Sequence, residues 1–480
     1  MVGAPTPNER LDMKTRNVRM IGAGALVLAL AGVGATAVAQ DTTPPPRYDR
    51  ALEWAPTPVP DRIVLNTTEN NATSQAVTWR TSAEVTTAQA QIAKMDAGPY
   101  FAYGGQSKYE TVTATSNAPI AANLGYTAKF HSVTFKDLDP KTAYLYRVGD
   151  GTNWSEWQEF TTASDKAEPF SFIYYGDSQN DVKDHASRVF RRAFRDRPDA
   201  KMIIHAGDLV NTANRDHEWG WWNYASGWIN GNINTMAVPG NHEYQSGKLT
   251  PVWSHQFENP KNGPAAVDAV APESVYFTDY QGVRFIGLNT NLQNDKVAMQ
   301  EQADFLDKAL AENPGKWSVV TFHHPVFATA SSRNHQNVRD FFLPIFEKHQ
   351  VDLVLQGHDH NYARGGLTNA NIGKSGISNG TVYVVSVSGP KMYQLNDGFN
   401  WRRNGAEQVA RTEYKQLYQL IDVDGNEIRY EARTADGKLF DGFTITKNGK
   451  NKKVTNSAEA FGPSKKGPKF ESEIEYKYQD

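Results

Sequence analysis

Between Phe170 and His360 five short apolar runs each end in residues of metal-binding type. Phe170 to Tyr175 leads into Gly176-Asp177, Met202 to His205 into Gly207-Asp208, and the run ending at Val238 into Pro239-Gly240-Asn241-His242-Glu243. Val319 to Phe322 leads into His323-His324-Pro325, and Val351 to Gln356 into Gly357-His358-Asp359-His360. Ligands in α/β sheets gather at the carboxyl ends of strands, so tips like these can converge on one site. Any single block reads equally well as a polar surface turn. Five in chain order do not. An Asn amide gives a hard cation a neutral oxygen, useful where carboxylates alone would repel an anionic substrate.

Length and charge narrow the setting. A chain of 480 residues suggests a large α/β domain plus something smaller. Its net charge of -3, from 50 basic and 53 acidic residues, supplies no polybasic field, so bulk electrostatics imply neither nucleic-acid nor membrane-surface binding. Cysteine is absent, which excludes disulfides, Cys-based zinc sites and Cys nucleophiles. Residues 1–39 carry Lys14, Arg16 and Arg19, then an apolar run from Met20 ending in Ala37-Val38-Ala39. That is the pattern of a cleaved signal peptide, so the mature chain is expected to be exported (secreted, periplasmic or at the cell surface) and to keep no membrane anchor. Residues 40–60, with Pro44, Pro45, Pro46, Pro56, Pro58 and Pro60, read as an extended linker.

Residues 61–163 show short alternating strands, such as Gln75 to Arg80, His131 to Phe135 and Ala143 to Val148, with turn residues between them. An all-β sandwich is expected. From Glu168 the texture changes to strands alternating with helical stretches, including 188–195 and 300–311, which implies a layered α/β domain over 168–447. Two hairpins are expected: 274–280 with 283–289, and 418–423 with 427–433 closing the sheet. Residues 448–480 are polar and lysine-rich, and are expected to be disordered.

The five blocks together resemble the calcineurin-like metallophosphoesterase superfamily over roughly 168–447. With the sandwich ahead of them, which resembles a fibronectin type III-like module, the arrangement is most similar to purple acid phosphatases and their bacterial relatives. The resemblance implies an α/β (α+β) four-layer sandwich and two divalent ions, of Fe, Zn, Mn or Mg. By that resemblance Asp177, Asp208 and His360 take one ion, and Asp208, Asn241, His323 and His358 the other. Two ions about 3.5 to 4 Å apart need a bridging carboxylate, and Asp208 is the expected bridge. His358 and His360 are expected to alternate along an extended segment, with Asp359 pointing away. The implied chemistry is attack on phosphorus by hydroxide made at the metal pair. His242 is read as protonating the leaving alcohol or bonding the phosphate, with Glu243 tuning it. His335 resembles the family's additional substrate-facing histidine.

Other polar residues have plainer readings. His324 is more a packing residue than a ligand, with a weak claim to touch substrate, and Arg364 suits a phosphate contact or an ordinary salt bridge. His205 reads as a satisfied core histidine and His131 as structural; His217, near Trp219, Trp221, Trp222 and Trp228, suits core packing or a lid. Two positions depart from the family pattern. Asn211 stands where purple acid phosphatases carry a tyrosine ligand, and Gln179 where the wider superfamily often has histidine. Both remain available as weak oxygen donors, which implies looser metal binding and no purple colour. The expected function is an exported hydrolase of small-molecule phosphate monoesters. The alternatives are a phosphodiesterase or nucleotidase acting on extracellular nucleotides, and a decayed cell-surface binding scaffold. The sandwich's partner is not legible.

Overall fold

A computed structural model describes residues 50–103, 107–370, 380–449 and 451–456. The predicted signal peptide and residues 40–49 of the linker therefore lie outside the described residues, as does the tail from 457. The end of the linker stretch does not behave as a free spacer. Helix α1 (Arg50–Trp54) sits there, the Trp54 carbonyl accepts from Arg80 at 3.1 Å, and the Thr57 carbonyl accepts from the Ser82 amide at 2.8 Å.

The sandwich comprises β1 (Asp61–Asn66), β2 (Gln75–Ser82), β3 (Gln89–Lys94), β4 (Glu110–Thr113), β5 (Thr127–Phe135), β6 (Ala143–Gly149) and β7 (Gln158–Thr161). Alternation along β2 sends Val77 and Trp79 into a core with Ile92, Tyr146 and Phe160. One sheet runs β4-β3-β6-β7, and the other is built on β1, β2 and β5.

The α/β part supplies β8 (Phe170–Tyr175), α2 (Ser187–Asp196), β9 (Met202–His205), α3 (Asp216–Ser226) and β10 (Asn234–Ala237). Then follow β11 (Tyr276–Tyr280), β12 (Val283–Gly287), α4 (Lys296–Ala311), β13 (Trp317–Phe322), α5 (Gln336–His349), β14 (Leu353–Gln356), β15 (Tyr362–Leu367), β16 (Val382–Val385) and β17 (Ala406–Thr412). The chain finishes with β18 (Leu417–Asp424), β19 (Glu427–Thr434), β20 (Leu439–Asn448) and β21 (Asn451–Asn456). The second sheet, β11-β12-β13-β14-β16-β15-β17, packs face to face on β8, β9, β10 and β18. Phe172, Tyr174 and Met236 meet Phe285, Val319 and Leu355 between the sheets. The outer faces are covered by α2 and α3 on one side and by α4 and α5 on the other. These are the four layers, and they explain why β8, β9 and β13 are apolar at almost every position: both their faces are buried.

Two features were not anticipated. Asn66 of β1 pairs in parallel with Thr235 of β10, so one sheet of the sandwich continues into the α/β part as a single 12-stranded sheet. And β21 lies beyond residue 447: Val454 is buried, and Lys452 donates to the Gln350 and Val351 carbonyls at 3.0 Å. A lysine-rich strand is thus held by one buried apolar side chain and a lysine that satisfies helix-end carbonyls, neither of which its composition suggests. Among the described residues no helix is long and apolar enough to cross a membrane.

Candidate metal centre

The ligand-type residues sit on turns that leave β8, β9, β10, β13 and β14 at their carboxyl ends, on the shared rim of the two sheets. Glycine precedes several of them for a steric reason: a Cβ at Gly240 would stand 2.1 Å from Asp208 Oδ1, and one at Gly357 2.7 Å from Asp177 Oδ2. Three of these residues hold left-handed backbone, Asp208 at φ 52, His358 at φ 75 and His360 at φ 49. Non-glycine residues rarely accept this unless their surroundings enforce it. The expectation that His358 and His360 alternate along an extended segment is therefore incorrect, since the chain turns at both.

The turn nevertheless brings the side chains together. Ligand atoms of Asp208, His323 and His358 lie within 4.8 Å of one another, as do those of Asp177, Asp208 and His360. Asp208 belongs to both groups. Asn241 joins the first, its Oδ1 3.1 Å from His323 Nε2. Asp359 turns away and accepts from the Thr329 and Ala330 amides at 2.5 and 3.1 Å and from Arg333 at 2.8 Å. A third trio of ligand-type atoms, His335, His358 and Asp359, also falls within 4.8 Å.

Hydrogen bonding shows what the two Asp208-sharing groups require. His323 Nδ1 donates to the Ala206 carbonyl at 2.9 Å, which turns Nε2 into the site. Nε2 lies 3.1 Å from Asp208 Oδ2, 3.1 Å from Asn241 Oδ1 and 3.1 Å from His358 Nδ1. The imidazolium shares its Nε2 proton with these oxygens, and a divalent ion in place of that proton would take the same atoms as ligands. Asp177 Oδ1 is buried with no hydrogen-bond partner among the described residues, and His360 Nδ1 donates to the Lys391 carbonyl at 2.9 Å, which turns its Nε2 toward Asp177 Oδ1, 3.9 Å away. Carboxylate, amide and imidazole donors of this kind fit divalent ions of intermediate hardness. The titration of the site carries the same demand for positive charge. Burial pulls His323 down, but Asp208 and Asp177 outweigh it and hold its imidazolium up at about 9. Burial drives Asp177 well above the usual carboxylate range, and it holds His360 down at about 3, helped by Lys391.

The neighbouring residues divide. Gln179 is buried, its Nε2 3.0 Å from His360 Nε2. The Asn211 side chain bonds Thr212 at 3.4 Å, while its carbonyl accepts from His242 Nδ1 at 2.6 Å. His242 Nε2 stands 4.0 Å from Asp208 Oδ2, with the ring 24% exposed. Glu243 does not touch the His242 ring as expected. Its carboxylate takes the backbone amides of Asp208, Leu209, Val210 and Gly240 at 2.9, 2.9, 3.3 and 2.7 Å, and so shapes the turn that carries Asp208. A carboxylate one residue from His242 is the obvious tuner on paper, but three amides of the buried Asp208 turn and that of Gly240 compete for it more strongly. His324 bonds Thr290 at 2.9 Å and packs, tilted, against the rings of His358 and His335 at 4.3 and 5.1 Å. His335 Nε2 is buried with no partner among the described residues.

Arg364 is not a substrate contact. It is fully buried in a two-pronged pair with Asp441 at 2.6 and 2.9 Å, remote in sequence from every motif. His131 is satisfied by Thr81 and Ser116, each at 2.8 Å. His205 is a core residue among Tyr175, Phe190 and Trp222, but its Nε2 is unsatisfied. Sequence reasoning missed Arg333, which donates to the His358 carbonyl at 2.5 Å and lies over Tyr393, itself packed on His360 at 4.7 Å. Its position two residues before His335 was the one available signal.

Two facing sheets whose strand tips converge on a carboxylate common to two ligand groups define the metallophosphoesterase fold. Residues 60–162 match the family model for the purple acid phosphatase N-terminal domain, and residues 170–362 that for calcineurin-like phosphoesterases. An uncharacterized protein of Mycobacterium tuberculosis is 27% identical over 404 residues, 72% of this chain and 69% of that protein. Purple acid phosphatase 23 of Arabidopsis thaliana is 24% identical over 324 residues, 58% of this chain and 64% of that one. A probable inactive purple acid phosphatase of the same plant is 22% identical over 370 residues, 66% of this chain and 58% of its own. In fold, the purple acid phosphatase PPD1 of yellow lupin matches with a TM-score of 0.65 at 18% identity, over 86% of this chain and 77% of its own. The chain thus carries a calcineurin-like phosphoesterase domain over residues 170–362 behind a purple acid phosphatase N-terminal domain over 60–162, and is purple acid phosphatase-like in fold.

Proposed function

We propose that this protein is an exported hydrolase of phosphate monoesters that works with two divalent ions. The observation that carries the reading is Asp208, the one carboxylate among the described residues common to two groups of ligand atoms that each lie within 4.8 Å of one another. Asp177, Asp208 and His360 would hold one ion, with Gln179 beside them, and Asp208, Asn241, His323 and His358 the other. Bound there, the ions would neutralise phosphate oxygens and acidify a water for attack on phosphorus. The remaining chemistry falls to the chain. His242 donates Nδ1–H to the Asn211 carbonyl, so Nε2 is the nitrogen that can carry a proton to the leaving alcohol. His335 offers its unsatisfied Nε2 to a substrate oxygen. With Asn211 in place of a tyrosine, no phenolate is available to hold a ferric ion strongly. Export is supported by the signal-peptide pattern of residues 1–39.

The experiment is hydrolysis of an aryl phosphate monoester and the matching diester by the mature protein, with metal analysis of the same sample. Monoester turnover with about two ions per chain supports the reading. Diester preference replaces it with a phosphodiesterase, and absence of both metal and turnover replaces it with a binding scaffold.

A further inference from the structure

The first residue of α3 is gripped by the sandwich from several directions. Arg62 of β1 donates to both Asp216 carboxylate oxygens at 2.8 and 2.7 Å and to its carbonyl at 3.1 Å. Arg80 of β2 donates to the same carboxylate at 3.0 Å and Tyr126 at 2.6 Å, while the Asp216 amide donates to Asn123 at 2.9 Å. Arg62, Arg80 and Asp216 are all buried. Charges buried this deeply are retained at a desolvation cost, and their best-attested use is to define one geometry among several.

That geometry is passed on within the same helical turn. Glu218, also buried, directs Oε2 at the backbone amides of Asn211 and Thr212, at 2.7 and 2.9 Å. Its one cationic neighbour among the described residues, Arg215, is 3.6 Å away and more than half exposed. A buried carboxylate is thus committed to the peptide that carries the Asn211 carbonyl and to the one before it. That carbonyl accepts the His242 Nδ1 proton at 2.6 Å, and the Ala213 amide donates to the His242 carbonyl at 3.3 Å. Hydrogen bonds join the sandwich to Asp216 and Glu218 to the 211–213 turn and His242, and the first turn of α3 joins Asp216 to Glu218.

We propose that Asp216 and Glu218 are positioning residues through which the N-terminal sandwich sets the tautomer and orientation of His242. The inference rests on the reading of His242 as proton donor to the leaving group. With Nδ1–H committed to Asn211, only Nε2 can exchange a proton with substrate. If the 211 peptide is released, the imidazole is free to rotate and to take the other tautomer, and the proton is no longer delivered to the leaving oxygen. The sandwich is then part of how the catalytic histidine is presented, in addition to any partner it binds.

The test uses the full chain with its metals and two monoesters, an alkyl phosphate whose leaving group needs a proton and a nitrophenyl phosphate whose leaving group does not. General acid catalysis is worth about 10²–10⁴-fold, so imperfect placement is expected to cost the alkyl substrate about tenfold or more in kcat and the aryl substrate little. Glu218→Ala should show that split with metal content unchanged, and Glu218→Gln, which keeps an amide oxygen for the two N–H groups, should recover most of the loss. Equal effects on both substrates overturn the inference. Independently of turnover, the Nδ1–H proton resonance of His242, identified by its absence in His242→Ala, should be lost in Glu218→Ala and retained in Glu218→Gln; its persistence at the original shift in Glu218→Ala refutes the positioning role. The sandwich's share is read from Asp216→Asn, or from Tyr126→Phe if the former does not fold, each weakening that resonance while an unchanged one refutes that share. If His242→Ala slows both substrates alike, the proton-donor reading fails, and the resonance alone still decides the positioning.

Discussion

The buried pair of Arg364 with Asp441 supports a quantitative test. Both side chains are 0% exposed, and they tie β15 of one sheet to β20 of the other. The same carboxylate accepts from Tyr362 at 2.6 Å, and the guanidinium lies 4.7 Å over Phe443 and donates to Asn456 at 3.0 Å. Asp441→Asn keeps the shape and removes the negative charge, leaving the guanidinium buried without that carboxylate. Breaking a buried ion pair by removing one partner destabilises by about 3–5 kcal/mol. With an unfolding entropy near 2.1 cal/mol/K per residue over roughly 400 ordered residues, about 0.8 kcal/mol/K, the melting temperature should fall by about 4–6 °C. The assay is a melting curve alongside steady-state kinetics at 25 °C. A lowered Tm with KM and kcat unchanged is expected. An unchanged Tm with a raised KM would show that Arg364 faces substrate after all and refute the structural assignment.

Two further outcomes are expected. Asp208→Asn should abolish hydrolysis and release at least one ion, because the residue is common to both ligand groups, whereas Asp359→Asn should leave both ions bound, since its carboxylate serves the Thr329–Arg333 turn; equal metal loss measured in both would show the ligand register to be wrong. Burial holds His131 down at about 4, with Lys129 adding to the effect, so below the unfolded value near 6.5 the unfolded chain binds a proton that the native chain refuses. Stability is therefore complete above about pH 6.5 and is lost as pH falls toward 4, by up to about 1.4 kcal/mol per pH unit. His131→Gln, which can still bond Thr81 and Ser116, should flatten that acid limb in denaturant titrations at pH 4.5, 5.5 and 6.5; an identical limb would show that His131 does not titrate there.

What could be read in the amino-acid order was whatever depends on short range. Apolar runs ending in Gly-Asp, Asn-His-Glu, His-His-Pro and Gly-His-Asp-His mark strand tips, and layered sheets bring strand tips to one rim, so the convergence of these blocks was legible, while the choice of Asp177, Asp208, Asn241, His323, His358 and His360 among them came from resemblance to the family. The alternating strands of the sandwich and the hairpin at 276–287 were legible for the same reason: side-chain period and turn residues are local. The β21 strand was not, because a polar lysine-rich segment is ordered there by an edge supplied by β20. Tertiary structure alone decided the partners of the remaining charges. Glu243 stands next to His242 in the chain, yet three backbone amides of the Asp208 turn and the Gly240 amide claim it. Arg364 follows the last ligand block, yet its carboxylate comes from a strand 77 residues on. Asp216 and Glu218 sit in an unremarkable helix start, and they acquire meaning only because one faces the sandwich and the other the Asn211 peptide. Buried charges must be satisfied by whatever the fold places within 3 Å, and a hydrogen bond's energy depends on that distance rather than on separation along the chain.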